Sequence, residues 1–139
     1  MISRCAYAFV LHATFMGCAD KAIECFPVHG QVMQGEKSIA DASVILHPID
    51  GQPSLRQKPL AFTDDQGRFA ITTVERGDGA PSGEYKVTVQ LKALKQVGEE
   101  MVRDGVDLLP LRFRDPATSE LRHSVRSEPS ELLISLPAK

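Results

Sequence analysis

Outside the first twenty residues, His29, His47 and His123 are the side chains best suited to hold a metal or move a proton. They lie in separate segments without the close spacing of a zinc site, so packed or solvated imidazoles are expected and no metal or other cofactor is implied. Asp64 and Asp65 could offer oxygens to calcium. The stretch lacks the alternating Asp/Asn pattern and distant glutamate of a calcium loop, so turn capping is the expected role of this pair. Ser54, Ser82 and Ser119 stand in turn-rich stretches, with no G-x-S-x-G elbow and no recognisable partner base. Cys25 has no defined histidine partner either. Arg68, directly after Gly67, is expected to open a strand with its charge in water. These residues read as those of a non-enzyme, with no catalytic residue.

Cys5, Cys18 and Cys25 match no zinc or redox spacing. The first two belong to a leader-like start, in which Arg4 is followed by an apolar stretch from Cys5 to Met16 and then by the small residues Gly17, Cys18 and Ala19. That is the order of a secretory signal peptide. The apolar stretch is too short to cross a hydrocarbon core of about 30 Å as a helix. Three outcomes compete. Phe15-Met16-Gly17-Cys18 resembles a bacterial lipobox, with Phe15 and Met16 replacing the usual Leu and small residue and His12 interrupting the run; Cys18 would then carry the lipid. Cleavage after Ala19 would instead release a chain beginning at Asp20. In the third outcome the pattern has no targeting role and the chain stays in the cytoplasm. Cys25 is a lone thiol if Cys18 is lipidated, and could pair with Cys18 if the leader is cut before it.

Sixteen basic against eighteen acidic residues, a net charge of −2, leave no positive field for phosphates, and no basic run is interleaved with aromatics. Nucleic acid is therefore not an expected partner. With 42% hydrophobic and 24% charged residues the chain has the profile of a folded globular protein. Without the leader, about 120 residues remain, enough for one core and too few for two. The expected organisation is a leader over 1–18, a tether over 19–27 and one domain over 28–137.

Short alternating runs between turn signals recur from Phe26 onward, the rhythm of an all-β sandwich or barrel. Glu84 to Leu91 is the clearest strand, with Tyr85, Val87, Val89 and Leu91 on one face. Asp41 to His47 puts Ala42, Val44 and Leu46 inward, Ile45 on the other face suggests partial cover there, and Pro48 is expected to end it. Leu60 to Thr63 and Arg68 to Thr73 flank Asp64-Asp65-Gln66-Gly67, a hairpin signal. Val28 to Met33, Leu121 to Val125 and a last strand through Leu132, Ile134 and Leu136 bring the count to about seven, the number of a β-sandwich. Val74 to Gly83 reads as a glycine- and proline-rich loop. Lys92 to Pro116 reads as a long charged loop with a helical turn, because Leu94, Val97 and Met101 lie three and four apart.

Val28-His29-Gly30-Gln31-Val32, Thr63-Asp64-Asp65-Gln66-Gly67-Arg68-Phe69, Gly83-Glu84-Tyr85-Lys86-Val87 with the glycine-rich stretch before it, and Asp115-Pro116-Ala117-Thr118-Ser119 resemble carboxypeptidase regulatory-like domain proteins, especially small envelope lipoproteins of planctomycete bacteria. The resemblance implies a transthyretin-like (prealbumin-like), immunoglobulin-like sandwich at the cell surface or in the periplasm. It implies no established catalytic role, and a structural or protein-binding module is therefore expected, membrane-anchored through Cys18 or free in the periplasm, whose loops Val74 to Gly83 and Lys92 to Pro116 meet an envelope protein or surface component. With no tryptophan and with Tyr85 read as buried, a sugar-stacking platform is not expected. Transthyretin-like folds also include a 5-hydroxyisourate hydrolase that works with histidines, an arginine after a Gly-Arg step and a closing Tyr-Arg-Gly-Ser. Gly67-Arg68 and His29 match in part, but the chain closes Leu136-Pro137-Ala138-Lys139. The hydrolase is therefore the weaker alternative, since a fold alone carries no function.

Overall fold

The computed structural model describes residues 22–49 and 55–138. The leader, Cys18 and Ser54 lie outside the described residues. The described chain is all-β, with ten strands and one 3-10 turn at Leu111–Phe113. The strands are β1 (Val28–Gln34), β2 (Lys37–Ser38), β3 (Ser43–Pro48), β4 (Leu60–Phe62), β5 (Arg68–Ala70), β6 (Gly83–Gln90), β7 (Lys92–Val97), β8 (Glu100–Asp107), β9 (Arg122–Val125) and β10 (Ser130–Leu136).

Two four-stranded sheets make the sandwich. In the first, β1 pairs in parallel with β10 on one side, while β5 and then β2 share its other edge antiparallel. The second is antiparallel in the order β4-β3-β6-β9. Period-two alternation drives each inner face together. Val28, Val32, Phe69, Leu132, Ile134 and Leu136 of the first sheet meet Val44, Leu46, Ala61, Tyr85, Val87, Val89 and Val125 of the second in one buried cluster. At about 1.5–3 kcal/mol for each large apolar side chain withdrawn from water, this cluster is the main force holding the sheets face to face.

The seven strands expected from the alternation are all present, with small shifts at their ends. Pro48 ends its strand as expected. It is the last residue of β3, where its missing N–H costs no ladder bond. The outer face of the second sheet is partly roofed, as Ile45 suggested. Leu109 and Phe113 are buried, Lys86 Nζ donates to the Pro116 carbonyl at 3.0 Å and Ser119 Oγ donates to the Val87 carbonyl at 2.5 Å, and beneath this roof Thr88 is only 3% exposed.

No helical turn forms at Leu94, Val97 and Met101; the one 3-10 turn within Lys92 to Pro116 is at Leu111–Phe113. Residues 92–107 form an antiparallel two-stranded arm, β7 on β8, with a register shift between Lys92 and Leu94. Its tip is a two-residue loop opened by Gly98 at φ 63°, the glycine-first arrangement that suits a hairpin's twist. The spacing of Leu94, Val97 and Met101 imitated a helix because a tight turn folds period-two strands back between them.

The arm and the start of the domain lie at opposite ends. Phe26 is bridged antiparallel to Ala80, three residues before β6 begins, so the chain enters beside the start of β6. β6 is eight residues long and rises about 3.3 Å per residue, so the arm leaves it roughly 25 Å away.

Candidate functional site

The arm is the largest feature that the two-layer core does not need. Leu94, Val97, Met101 and Val106 are 53%, 54%, 58% and 75% exposed, an unusual concentration of large apolar side chains in water for sixteen consecutive residues. The register places Leu94 and Met101 on one face with Arg103 and Gln96, and Val97 and Val102 on the other with Lys95 and Glu100. Both faces are amphipathic. Among the described residues no strand pairs with the outer edge of β7 or of β8.

Polar contacts fix the base of the arm. Asp107 Oδ1 accepts the N–H groups of Leu91 (3.3 Å) and Leu109 (3.1 Å), and the Leu108 N–H donates to the Leu91 carbonyl at 2.7 Å. Arg103 reaches the sandwich, where its guanidinium pairs with the carboxylate of Asp41 and donates to the Lys92 carbonyl. Asp41 is held at φ 56°, a conformation that a short polar side chain tolerates better than most. Lys92 pairs with Asp104 across the strands at 3.1 Å. The base is anchored and the outer half of the arm stands free.

The histidines do not converge. His29 is exposed on the outer face of the first sheet, where Arg68 stands diagonally across from it, opposite Gln31. His47 lies on the outer face of the second sheet and His123 on β9. Lys58 donates to His47 Nδ1 at 3.2 Å, so Nε2 carries the proton and donates to Thr88 Oγ1 at 2.8 Å. Burial first and the Lys58 ammonium second push the His47 pKa down, with Asp115 opposing them. Burial also pushes His123 down against the pull of Glu84, and its Nε2 sits 2.9 Å from Ser130 Oγ. Both imidazoles are neutral packing groups. Among the described residues no three His, Cys, Asp or Glu side chains gather into a metal site.

Asp64 and Ser119 also resolve into structure. Asp64 caps its turn as expected, with Oδ1 accepting the N–H groups of Gln66 and Arg68 at 2.9 Å each. Ser119 Oγ is spent on the Val87 carbonyl and the Leu121 N–H.

Cys25 lies beside Thr73 and Asp78. Burial and then the Asp78 charge push its thiol pKa up, the opposite of what a nucleophile needs. The Asp78 cap itself was missed in the sequence, although an aspartate between two glycines is a turn signal. Its Oδ1 accepts the Thr73 N–H at 2.7 Å, and its Oδ2 accepts those of Val74 and Glu75 at 2.9 Å. Burial raises the Asp78 pKa, but these three donors outweigh burial and leave it below the ordinary aspartate value. The depressed pKa adds stability that is complete above the unfolded value of about 3.9 and is lost as pH falls through the folded one. Asp78→Asn is therefore expected to cost about 1–2 kcal/mol at neutral pH, a figure lowered by solvent access. Urea unfolding should show the gap between the two proteins closing as acid removes the wild-type charge.

No family model matches the chain, and no curated protein matches it. Two solved structures are similar at low identity. One is a Pseudomonas aeruginosa protein provisionally described as carbohydrate-binding, at 16% identity and a TM-score of 0.44, covering 81% of this chain and 89% of that one. The other is a DUF3823 family protein from Parabacteroides merdae, at 11% identity and a TM-score of 0.42, covering 82% of this chain; this chain spans 46% of its length.

Proposed function

We propose that this protein is a non-catalytic module of the cell envelope, tethered to a membrane through a lipid on Cys18, which engages a protein partner with the arm Lys92–Asp107. The observation that carries the proposal is the arm itself: an anchored two-stranded hairpin with both edges unpaired and Leu94, Val97, Met101 and Val106 in water. An isolated hairpin is marginal in water, and a strand added along either edge would supply main-chain hydrogen bonds and cover for the apolar side chains. The polarity of the fold agrees with tethering. A lipid on Cys18 holds the end where Phe26 enters, and the arm leaves from the opposite end.

Each half has its own test. Intact mass spectrometry of the protein from its native membrane fraction should show a diacyl or triacyl adduct on Cys18; an unmodified chain beginning at Asp20 overturns the lipid anchor. Photocrosslinking amino acids at Val97 and Val106 should capture one envelope protein in cells. The same probe at Leu133, which is 65% exposed on the outer face of β10, should not. Equal capture from all three positions overturns the arm as the contact.

A further inference from the structure

The open side of the sandwich holds a second feature that the arm does not explain. There β4 and β5 are the edges of different sheets, joined at one end by the Asp64 turn, where the Asp64 N–H donates to the Arg68 carbonyl at 2.9 Å, and at the other where Leu60 and Thr72 exchange hydrogen bonds of 3.0 and 2.9 Å. Between that bridge and the Asp64 turn the strands part around a groove of about 750 Å³. Leu60 and Phe62 form its wall on the β4 side, with Phe62 68% exposed, and Ala70 and Thr72 form the other wall. Arg68 and Arg76 are in its lining as well.

Neither arginine has a carboxylate. The two ion pairs among the described residues are Lys92–Asp104 and Arg103–Asp41, and no side-chain hydrogen bond joins Arg68 or Arg76 to another described residue. Two of the carboxylates beside them, Asp64 and Asp78, bind backbone N–H groups instead and keep their own negative charge. Asp64, in the same lining, accepts the N–H groups of Gln66 and Arg68, and Asp78 accepts those of Thr73, Val74 and Glu75. Those same bonds fix the two turns that carry the arginines. Arg68 opens β5 directly after the Asp64 turn, and Arg76 sits inside the Asp78 turn, whose Gly77 N–H donates to Thr72 Oγ1 at 2.9 Å. The groove is therefore lined by two unpaired arginines carried on fixed turns and by an uncovered aromatic ring.

We propose that this groove binds an extended acidic peptide segment of a partner protein, with Arg68 and Arg76 as carboxylate-holding groups. Guanidinium matches a carboxylate bidentately. An extended chain presents every second side chain to one face, so acidic residues two apart can meet the arginines while an apolar neighbour covers Phe62. The proposal is independent of the arm and of the lipid anchor.

Fluorescence anisotropy on the full chain tests it, with a fluorescein-labelled N-acetyl Glu-Val-Glu-Val-Glu-Val peptide as the probe. Saturable binding is expected that weakens with salt, falls about tenfold or more when Gln replaces each Glu, and falls as much in the Arg68→Gln/Arg76→Gln double variant. Both arginines are exposed, so the double variant should keep the wild-type melting temperature. Phe62→Ser should weaken binding as a second, uncharged check. Equal binding of the Gln peptide, unchanged binding by the double variant, or no saturation at millimolar peptide overturns the proposal. So does full displacement by an equal concentration of inorganic phosphate, which would mark a bare anion site. An arm variant with Leu94 and Met101 changed to Ser should bind the peptide normally.

Discussion

Gly79→Ala is expected to remove about 3–5 kcal/mol of stability, a large share of the roughly 5–15 kcal/mol available to a single domain. Gly79 sits at φ +91°, where a side chain costs about 1–2 kcal/mol in backbone strain alone. A Cβ there would lie 1.8 Å from the Phe26 carbonyl oxygen and 2.7 Å from the Pro27 Cα, both backbone atoms that no rotamer can move aside. Relief requires opening the Phe26–Ala80 bridge, whose two hydrogen bonds of 2.9 and 3.1 Å hold the start of β1 to the second sheet. Gly77 is the internal control. It has a similar φ of +75° but nothing within 4 Å, so Gly77→Ala should cost the strain alone, about 1–2 kcal/mol. Equal losses for the two substitutions in denaturant melts would refute the close approach at Phe26.

Tyr85→Ala is expected to cost a further 3–5 kcal/mol, or about that, because it empties the place of a large ring that is fully buried. Tyr85→Phe isolates the hydroxyl, which donates to the Pro81 carbonyl four residues upstream at 2.7 Å. Losing that donor leaves a buried acceptor unpaired and should cost about 1–2 kcal/mol. Burial first and the charge of Cys25 second push the phenol pKa up to about 12. The neutral phenol is the form that the fold favours, so its contribution is complete below the unfolded value of about 10 and is lost as pH rises through the folded value. Stability between those limits should fall with pH in the wild type and be flatter in Tyr85→Phe. A phenolate absorbance that titrates at the ordinary tyrosine value in the folded protein would show that the ring is not sealed.

Much of the sandwich could be read from the sequence because water imposes the period. Tyr85, Val87 and Val89 alternate with polar residues, and that alternation is what burying one face of a strand requires. The Asp64 turn was equally legible, because a short carboxylate before a positive-φ glycine has few other uses. The arm was missed for the complementary reason. Neither of its faces is buried, so nothing forced its side chains to sort by polarity, and only Gly98 marked the turn. The arginine groove was invisible for a third reason. Arg68 and Arg76 sit eight positions apart and share a lining through the corner at Leu60 and Thr72, a tertiary contact with no local pattern.

The parallel pairing of β1 with β10 also sets a timetable. Val28 faces Ser130 and Gln34 faces Leu136, so β1 pairs with a strand separated from it by most of the described chain. Closing a loop of that size is slow compared with forming local hairpins. Until β10 has been made, one flank of β1 has no partner and the first sheet lacks the Leu132, Ile134 and Leu136 face. The sandwich therefore stays open until β10 arrives, and the docking of that strand on β1 is the event that lets it shut.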